Sequence, residues 1–365
     1  MKLGISLYPD KTDLVQDQAY MELAYSLGFT HVFMSFLQLD IHDPKRSIQR
    51  IKESISCAKK IGMSVSLDIH PLVFQYIDGD EHDLHYFHDL GVTSIRLDSG
   101  YDGKTEAMMT HNPYGLQIEF NVSRNTHELE RILDFQPNRN QMCGSHNFYP
   151  QRYTGLPLST FVECSKRFLN HHIPIAAFIT SQKASISPWP VSEGLCTLED
   201  HRDVSLEVQF RHMQMMGLVD MIIIGNAYAS EEELRHIAHY HQSSMPFLTI
   251  EMEKVSPIEE TIVLCNQEYR GDASEYVIRS TKHRARFHKE ALSARGEVRD
   301  LNVGDVVILN EEYGQYKGEL QIILRPRKKD RRINIVGHVV PEELLLMKEL
   351  RPFEAFTLKR KEVIK

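Results

Sequence analysis

Cysteine is sparse, and no spacing pairs it: Cys57, Cys143, Cys164, Cys196 and Cys265 lie far apart, form no C-x-x-C and are odd in number. That excludes a disulfide scaffold and points to free thiols in a reducing compartment. No stretch approaches the roughly 20 apolar residues of a membrane span. The opening MKLGISLYPD offers only a short apolar run before Pro9, less than a secretory signal needs. The expected location is therefore the cytoplasm, with no membrane contact. A basic surplus is also missing. Lysine and arginine total 42 against 50 aspartates and glutamates, a net charge of −8, so the long-range attraction that would draw nucleic acid is absent. No G-x-G-x-x-G follows the first strand-like run, which argues against a dinucleotide-binding open sheet. No H-E-x-x-H or paired Cys/His set announces a metal site, and His82, His85 and His88, three apart, read as a solvated helix face.

What is present is ordinary globular usage, 42% apolar and 25% charged over 365 residues, enough chain for two units. The first part repeats one theme: a short run rich in Val, Ile and Phe, a polar turn, then a segment with helical spacing. Eight strand candidates begin near Leu3, His31, Ser64, Thr93, Leu116, Gln141, Ile173 and Asp220, with seven helix candidates between and after them. Eight such units predict an α/β fold of the (β/α)8 barrel type over residues 1–244. From 245 to 365 the pattern changes to β runs (FLTIEME, TIVLCNQ, EYVIRST, GDVVIL, ELQIIL, INIVGHVV, FEAFTLK), which predict a smaller, mainly β barrel with a short helix near Glu342 to Leu350. The basic run Arg325 to Arg332 falls between two of these and reads as a hairpin loop.

In such a barrel the chemistry gathers at the carboxyl ends of the strands. Residues two apart share a face, which pairs Arg96 with Asp98, Glu119 with Asn121, and Asp68 with His70. Two carboxyls on neighbouring strands meet the needs of glycoside hydrolysis, one protonating the leaving oxygen and the other supporting the cationic sugar carbon. Asp98 and Glu119 are the leading catalytic pair, with Asp68 a third participant. The loop after the seventh strand, with Trp189 between two prolines, reads as a lid over a polar ligand. Three glutamates open the last barrel helix and would repel a phosphate there, so a phosphate contact is sought instead at Arg152, Arg202, His146 or Lys183.

The segments SLYP (Ser6 to Pro9), SIRLDSG (Ser94 to Gly100), FNVS (Phe120 to Ser123), SHNFYPQRYTGL (Ser145 to Leu156) and EGLCTLEDHR (Glu193 to Arg202) resemble the MupG-like 6-phospho-N-acetylmuramidases. The resemblance implies a TIM barrel carrying a cyclophilin-like β domain. It also implies an intracellular glycosidase that splits N-acetylmuramic acid 6-phosphate from N-acetylglucosamine in peptidoglycan recycling. Its partner would be a small phosphorylated sugar, and it would need no metal or organic cofactor. Asn121, His146, Asn147, Tyr149, Arg152, Glu193 and Arg202 lie in the matching segments and carry over as substrate-binding residues beside Arg96. The sequence departs from the resemblance at Cys196, where proline is expected, and at Asn226, where an acid often stands. Two other readings compete: a phospho-sugar aldolase or isomerase, for which Lys183 is the nearest candidate amine, and a sugar-phosphate-binding protein without turnover.

Overall fold

Eight parallel strands close on themselves in chain order: β1 (Lys2–Leu7), β2 (His31–Ser35), β3 (Ser64–Ile69), β4 (Ser94–Leu97), β5 (Gln117–Asn121), β6 (Met142–Ser145), β7 (Ile175–Ile179) and β8 (Met221–Ile224), with β8 pairing back to β1. The computed structural model describes residues 1–37, 43–77, 79–243, 245–296 and 299–362. It divides into two units, Met1–Tyr240 and His241–Lys365.

A helix follows each strand: α1 (Leu14–Ser26), α2 (Pro44–Ile61), α3 (His85–Leu90), α4 (Lys104–Met109), α5 (Glu128–Asp134), α6 (Leu158–Leu169), α7 (Leu206–Met216) and α8 (Glu231–Gln242). Their ends obey local chemistry. Asp13 accepts the N–H groups of Val15 and Gln16 at the start of α1. Asp43 caps α2 with Pro44 at its first position, and Gly62 ends that helix at φ 98°, a conformation that a side chain would resist. Helix α4 was not foreseen. It is six residues long, and its stability comes from buried Glu106, whose carboxylate takes the N–H groups of Tyr101 and Gly103.

The barrel interior has two faces of different chemistry. On the β1, β2, β7 and β8 side it is filled by Phe33, Ala176, Phe178 and Ile223, with Phe148 packed against them. Phe33 and Phe148 both meet Phe178 edge to face, at 5.1 and 5.2 Å. On the opposite side the register aligns Ser35, Asp68, Arg96, Glu119 and Cys143 in one row across β2 to β6. Directly paired residues point to the same face, so this row is polar and inward. Charged groups thus sit beside a dry aromatic plug.

The second unit is a seven-stranded sheet in the order β10-β15-β9-β14-β12-β13-β11, built from β9 (Phe247–Met252), β10 (Gln267–Glu268), β11 (Val277–Ser280), β12 (Asp305–Leu309), β13 (Leu320–Ile323), β14 (Ile333–Val339) and β15 (Ala355–Arg360). Two expectations are corrected here. TIVLC is not a strand: most of it lies in helix α9 (Pro257–Leu264), started by a reciprocal box between Ser256 and Glu259 with Pro257 at the first position. The basic run is not a hairpin loop either, because β12 lies between β13 and β14 and pairs with both. Four of its six cations are matched by acids: Arg325 with Glu275, Lys328 with Asp300, Arg331 with Glu312 and Arg332 with Asp330, all within 3.1 Å. The predicted carboxyl-terminal helix appears as two 3-10 turns, Pro341–Glu343 and Leu346–Glu349.

Candidate active site

Arg96, on β4, is the hub. Its Nη1 donates to Asp68 Oδ1 at 2.7 Å and lies 3.7 Å from Asp98 Oδ1. Its Nε donates to Ser145 Oγ at 2.8 Å and stands 3.9 Å from Glu119 Oε1, while Nη2 donates to Asn147 Oδ1. One guanidinium therefore serves three carboxyls, the same three that strand position nominated. They are not equivalent. Asp98, just past β4, has 39% of its side chain exposed, whereas the side chains of Asp68 and Glu119 are 3% and 6% exposed. Glu119 is also drawn inward: Oε2 accepts the buried Ser66 hydroxyl at 2.6 Å, and Oε1 is buried without a hydrogen-bond partner.

Burial pushes the Asp68 carboxyl up to about 6; the Arg96 cation pulls it back, and the Asp98 and Glu119 charges raise it further. A carboxyl whose proton is held up to about 6 beside one open to water is the inequality that acid–base chemistry requires.

The neighbouring loops frame this cluster. Asn147 links to it directly. Tyr149, half-buried, has its hydroxyl pushed up by burial, with Ser123 and Asn147 pulling it back. Asn121 Oδ1 takes the N–H of Ser123. The loops after β6 and β7 are bridged at Tyr149–Cys196 and Leu156–Leu198. Leu195 to Leu198 are wholly buried, so this part of the loop after β7 is packed in place, although Trp189 is 40% exposed. A Cβ at Gly225 would lie 2.4 Å from the Leu195 carbonyl oxygen. Gly225→Ala is therefore expected to lower stability by about 2 kcal/mol or more, read as a fall in Tm, because the backbone contact cannot yield as a flexible side chain would.

Several nominated residues turn out to be engaged elsewhere. His146 has the parity opposite to Ser145 and Asn147, so its ring faces α6. It is wholly buried between the Ser123 and Ser165 hydroxyls, against Phe161, and burial pushes it down to about 3. A ring so placed cannot meet a ligand in the barrel mouth. Arg202, its side chain 1% exposed, grips both oxygens of Glu199 and donates to the carbonyls of Tyr149, Glu193 and Gly194. Both of these donors are thus lost to a phosphate. Arg152 makes two bonds to Asp203, and its N–H goes to Glu193. Asn226 uses its amide for the loop after β7, accepting from Ser181 N–H and donating to the Ser181 and Ala184 carbonyls. An aspartate could not make the last two bonds, which accounts for the amide where the resemblance often has an acid.

The family model described as "6-phospho-N-acetylmuramidase, N-terminal" matches residues 3–239, and its "C-terminal" counterpart matches residues 246–359. The chain belongs to the MupG family. A crystal structure of an uncharacterized B. cereus protein shares 44% identity, covering 98% of this chain and 99% of that one, with a TM-score of 0.85. A conserved Enterococcus faecalis protein of unknown function shares the fold at 24% identity, with 99% and 97% coverage and a TM-score of 0.73. No curated protein matches. Among the described residues, no helix is long and apolar enough to cross a membrane.

Proposed function

We propose that the chain is a cytoplasmic glycoside hydrolase that cleaves N-acetylmuramic acid 6-phosphate from N-acetylglucosamine during peptidoglycan recycling. Family membership supports the substrate class. The observation that carries the chemistry is three carboxyls of unequal exposure on the one Arg96 guanidinium, at the carboxyl ends of β3, β4 and β5. In this reading Asp68 delivers its proton to the glycosidic oxygen as the bond to the anomeric carbon breaks. Asp98 supports the positive charge that develops on that carbon, and water completes the hydrolysis. Glu119 stands beside Arg96 and holds it in place. The carboxyl-terminal sheet is read as cyclophilin-like on resemblance.

The aldolase reading has no lysine on a strand at the acid-bearing end of the barrel and depends on Lys183 alone. The barrel strands carry a single lysine, Lys2, at the amino end of β1, away from the face where the acids gather. Lys183 is exposed beyond β7 with no acid partner among the described residues, which suits it to contact the substrate phosphate.

The decisive test incubates the protein with the phosphorylated and unphosphorylated disaccharides and identifies products by mass spectrometry. Cleavage of the phosphorylated compound alone is expected, with Lys183→Met eroding that preference. Saturable binding with unchanged ligand would instead establish a non-catalytic binding protein.

A further inference from the structure

The mechanism leaves unexplained an aromatic ring on the loop after β6. Tyr153 is 84% exposed, and its backbone adopts φ 68°. That left-handed conformation is costly for a residue with a Cβ and cheap for glycine or asparagine. It is nonetheless held firmly. The Tyr153 N–H donates to Glu199 Oε1 and the Gly155 N–H to Glu199 Oε2, both at 2.8 Å. Glu199 is fixed in turn by the buried Arg202 fork, which pushes its carboxyl down to about 2. An ion pair to a buried guanidinium thus fastens a turn whose outermost feature is a solvent-facing phenol. Strain that the surroundings over-determine is a mark of a working position.

The loop's place in the fold puts the ring on the end of the barrel that carries the acids. It leaves β6 through Asn147, which touches Arg96, so Tyr153 lies six residues along the chain from the catalytic cluster and on the same end of the barrel. The Arg152 guanidinium stands 5.9 Å from the Tyr153 ring centroid and is itself anchored by Asp203, which fixes one side of the ring's surroundings. An exposed aromatic face on a backbone held in place matches a pyranose, whose C–H groups lie on a flat apolar face and whose hydroxyls and amide point outward. We propose that Tyr153 is a specificity-determining platform on which the leaving N-acetylglucosamine ring stacks. This rests on the glycosidase reading.

The experiment exploits the strain. A merely structural tyrosine at φ 68° would be replaced by glycine with no functional loss. Tyr153→Gly is expected to keep or raise Tm, to raise KM for the phosphorylated disaccharide about 10-fold, the size of one ring contact, and to leave kcat within about twofold. Tyr153→Asn, which also tolerates the conformation, should behave alike, and Tyr153→Phe should match the parent. In parallel, saturation-transfer NMR with free N-acetylglucosamine should detect the sugar on the parent protein and Tyr153→Phe but not on Tyr153→Gly. Unchanged KM and unchanged transfer in Tyr153→Gly would overturn the platform. Absence of hydrolysis by the parent protein would instead overturn the glycosidase reading, with the NMR arm still deciding what Tyr153 does.

Discussion

Asp98→Asn and Asp68→Asn are each expected to lose at least about 10³-fold in kcat on the phosphorylated disaccharide while keeping a folded far-UV spectrum. Two features of the cluster set this size. Asp98 is the exposed carboxyl, so an amide there removes charge where the sugar cation forms. Asp68 is the group whose proton is held by burial up to about 6. The direction of the pH dependence follows: the acid must be protonated, so kcat/KM in the parent should fall as pH rises through about 6. In Asp68→Asn the small residual rate should lose that limb, since the titrating proton is gone. Glu119→Gln should cost less, because its carboxyl is bonded to the Ser66 hydroxyl and stands 3.9 Å from Arg96, in the role of holding the guanidinium. Near-parental rates in both aspartate variants would end the assignment, and a rate loss confined to Glu119→Gln would restore the pairing that strand order alone suggested.

Much of this site was legible before any coordinates. Strands of a parallel barrel are buried on both faces and read as continuous apolar runs, which is why all eight were visible. The acids at their ends followed from parity within each strand. Parity also held the correction for His146: with Ser145 and Asn147 facing inward, the residue between them faces the helices. What one-dimensional reading could not supply was the register between strands. Only the alignment of Asp68, Arg96 and Glu119 in one row shows that two buried acids flank the guanidinium while Asp98, one step on, emerges. Long-range partners were equally hidden. Arg202 is separated from Glu199 by three residues, but its other acceptors include Tyr149, 53 residues away, so its role as a loop clamp exists only in the fold. In the second unit, Ile262 and Val263 of the misread run suggested a strand, yet the box formed by Ser256, Pro257 and Glu259 prevailed and set a helix.

Arg96→Met should produce the largest change in stability. The side chain is 4% exposed and is the shared counter-charge for Asp68, Asp98 and Glu119. Removing one partner of a buried ion pair costs about 3–5 kcal/mol, because the charge left behind has neither water nor a counter-ion. The cost must depend on pH, and its sign can be worked out. With the guanidinium in place, the folded-state value for Asp68 already lies above its ordinary 3.8, at about 6. Without it that value can only go higher. A carboxyl raised on folding favours the native state when protonated, so its contribution is fully present below about 4 and is lost as pH rises through the folded value. The variant should therefore melt close to the parent at pH 5 and well below it at pH 8, where the Asp68 proton must be surrendered in a dry interior. Activity should vanish at both pH values, since Asp68 and Glu119 lose the group that holds them in register. The double variant Arg96→Met with Asp68→Asn supplies the control: taking away the stranded charge should recover much of the Tm at pH 8 without restoring hydrolysis. A Tm deficit of equal size at pH 5 and pH 8 would show that Arg96 acts by packing alone, and the electrostatic account of the cluster would fall with it.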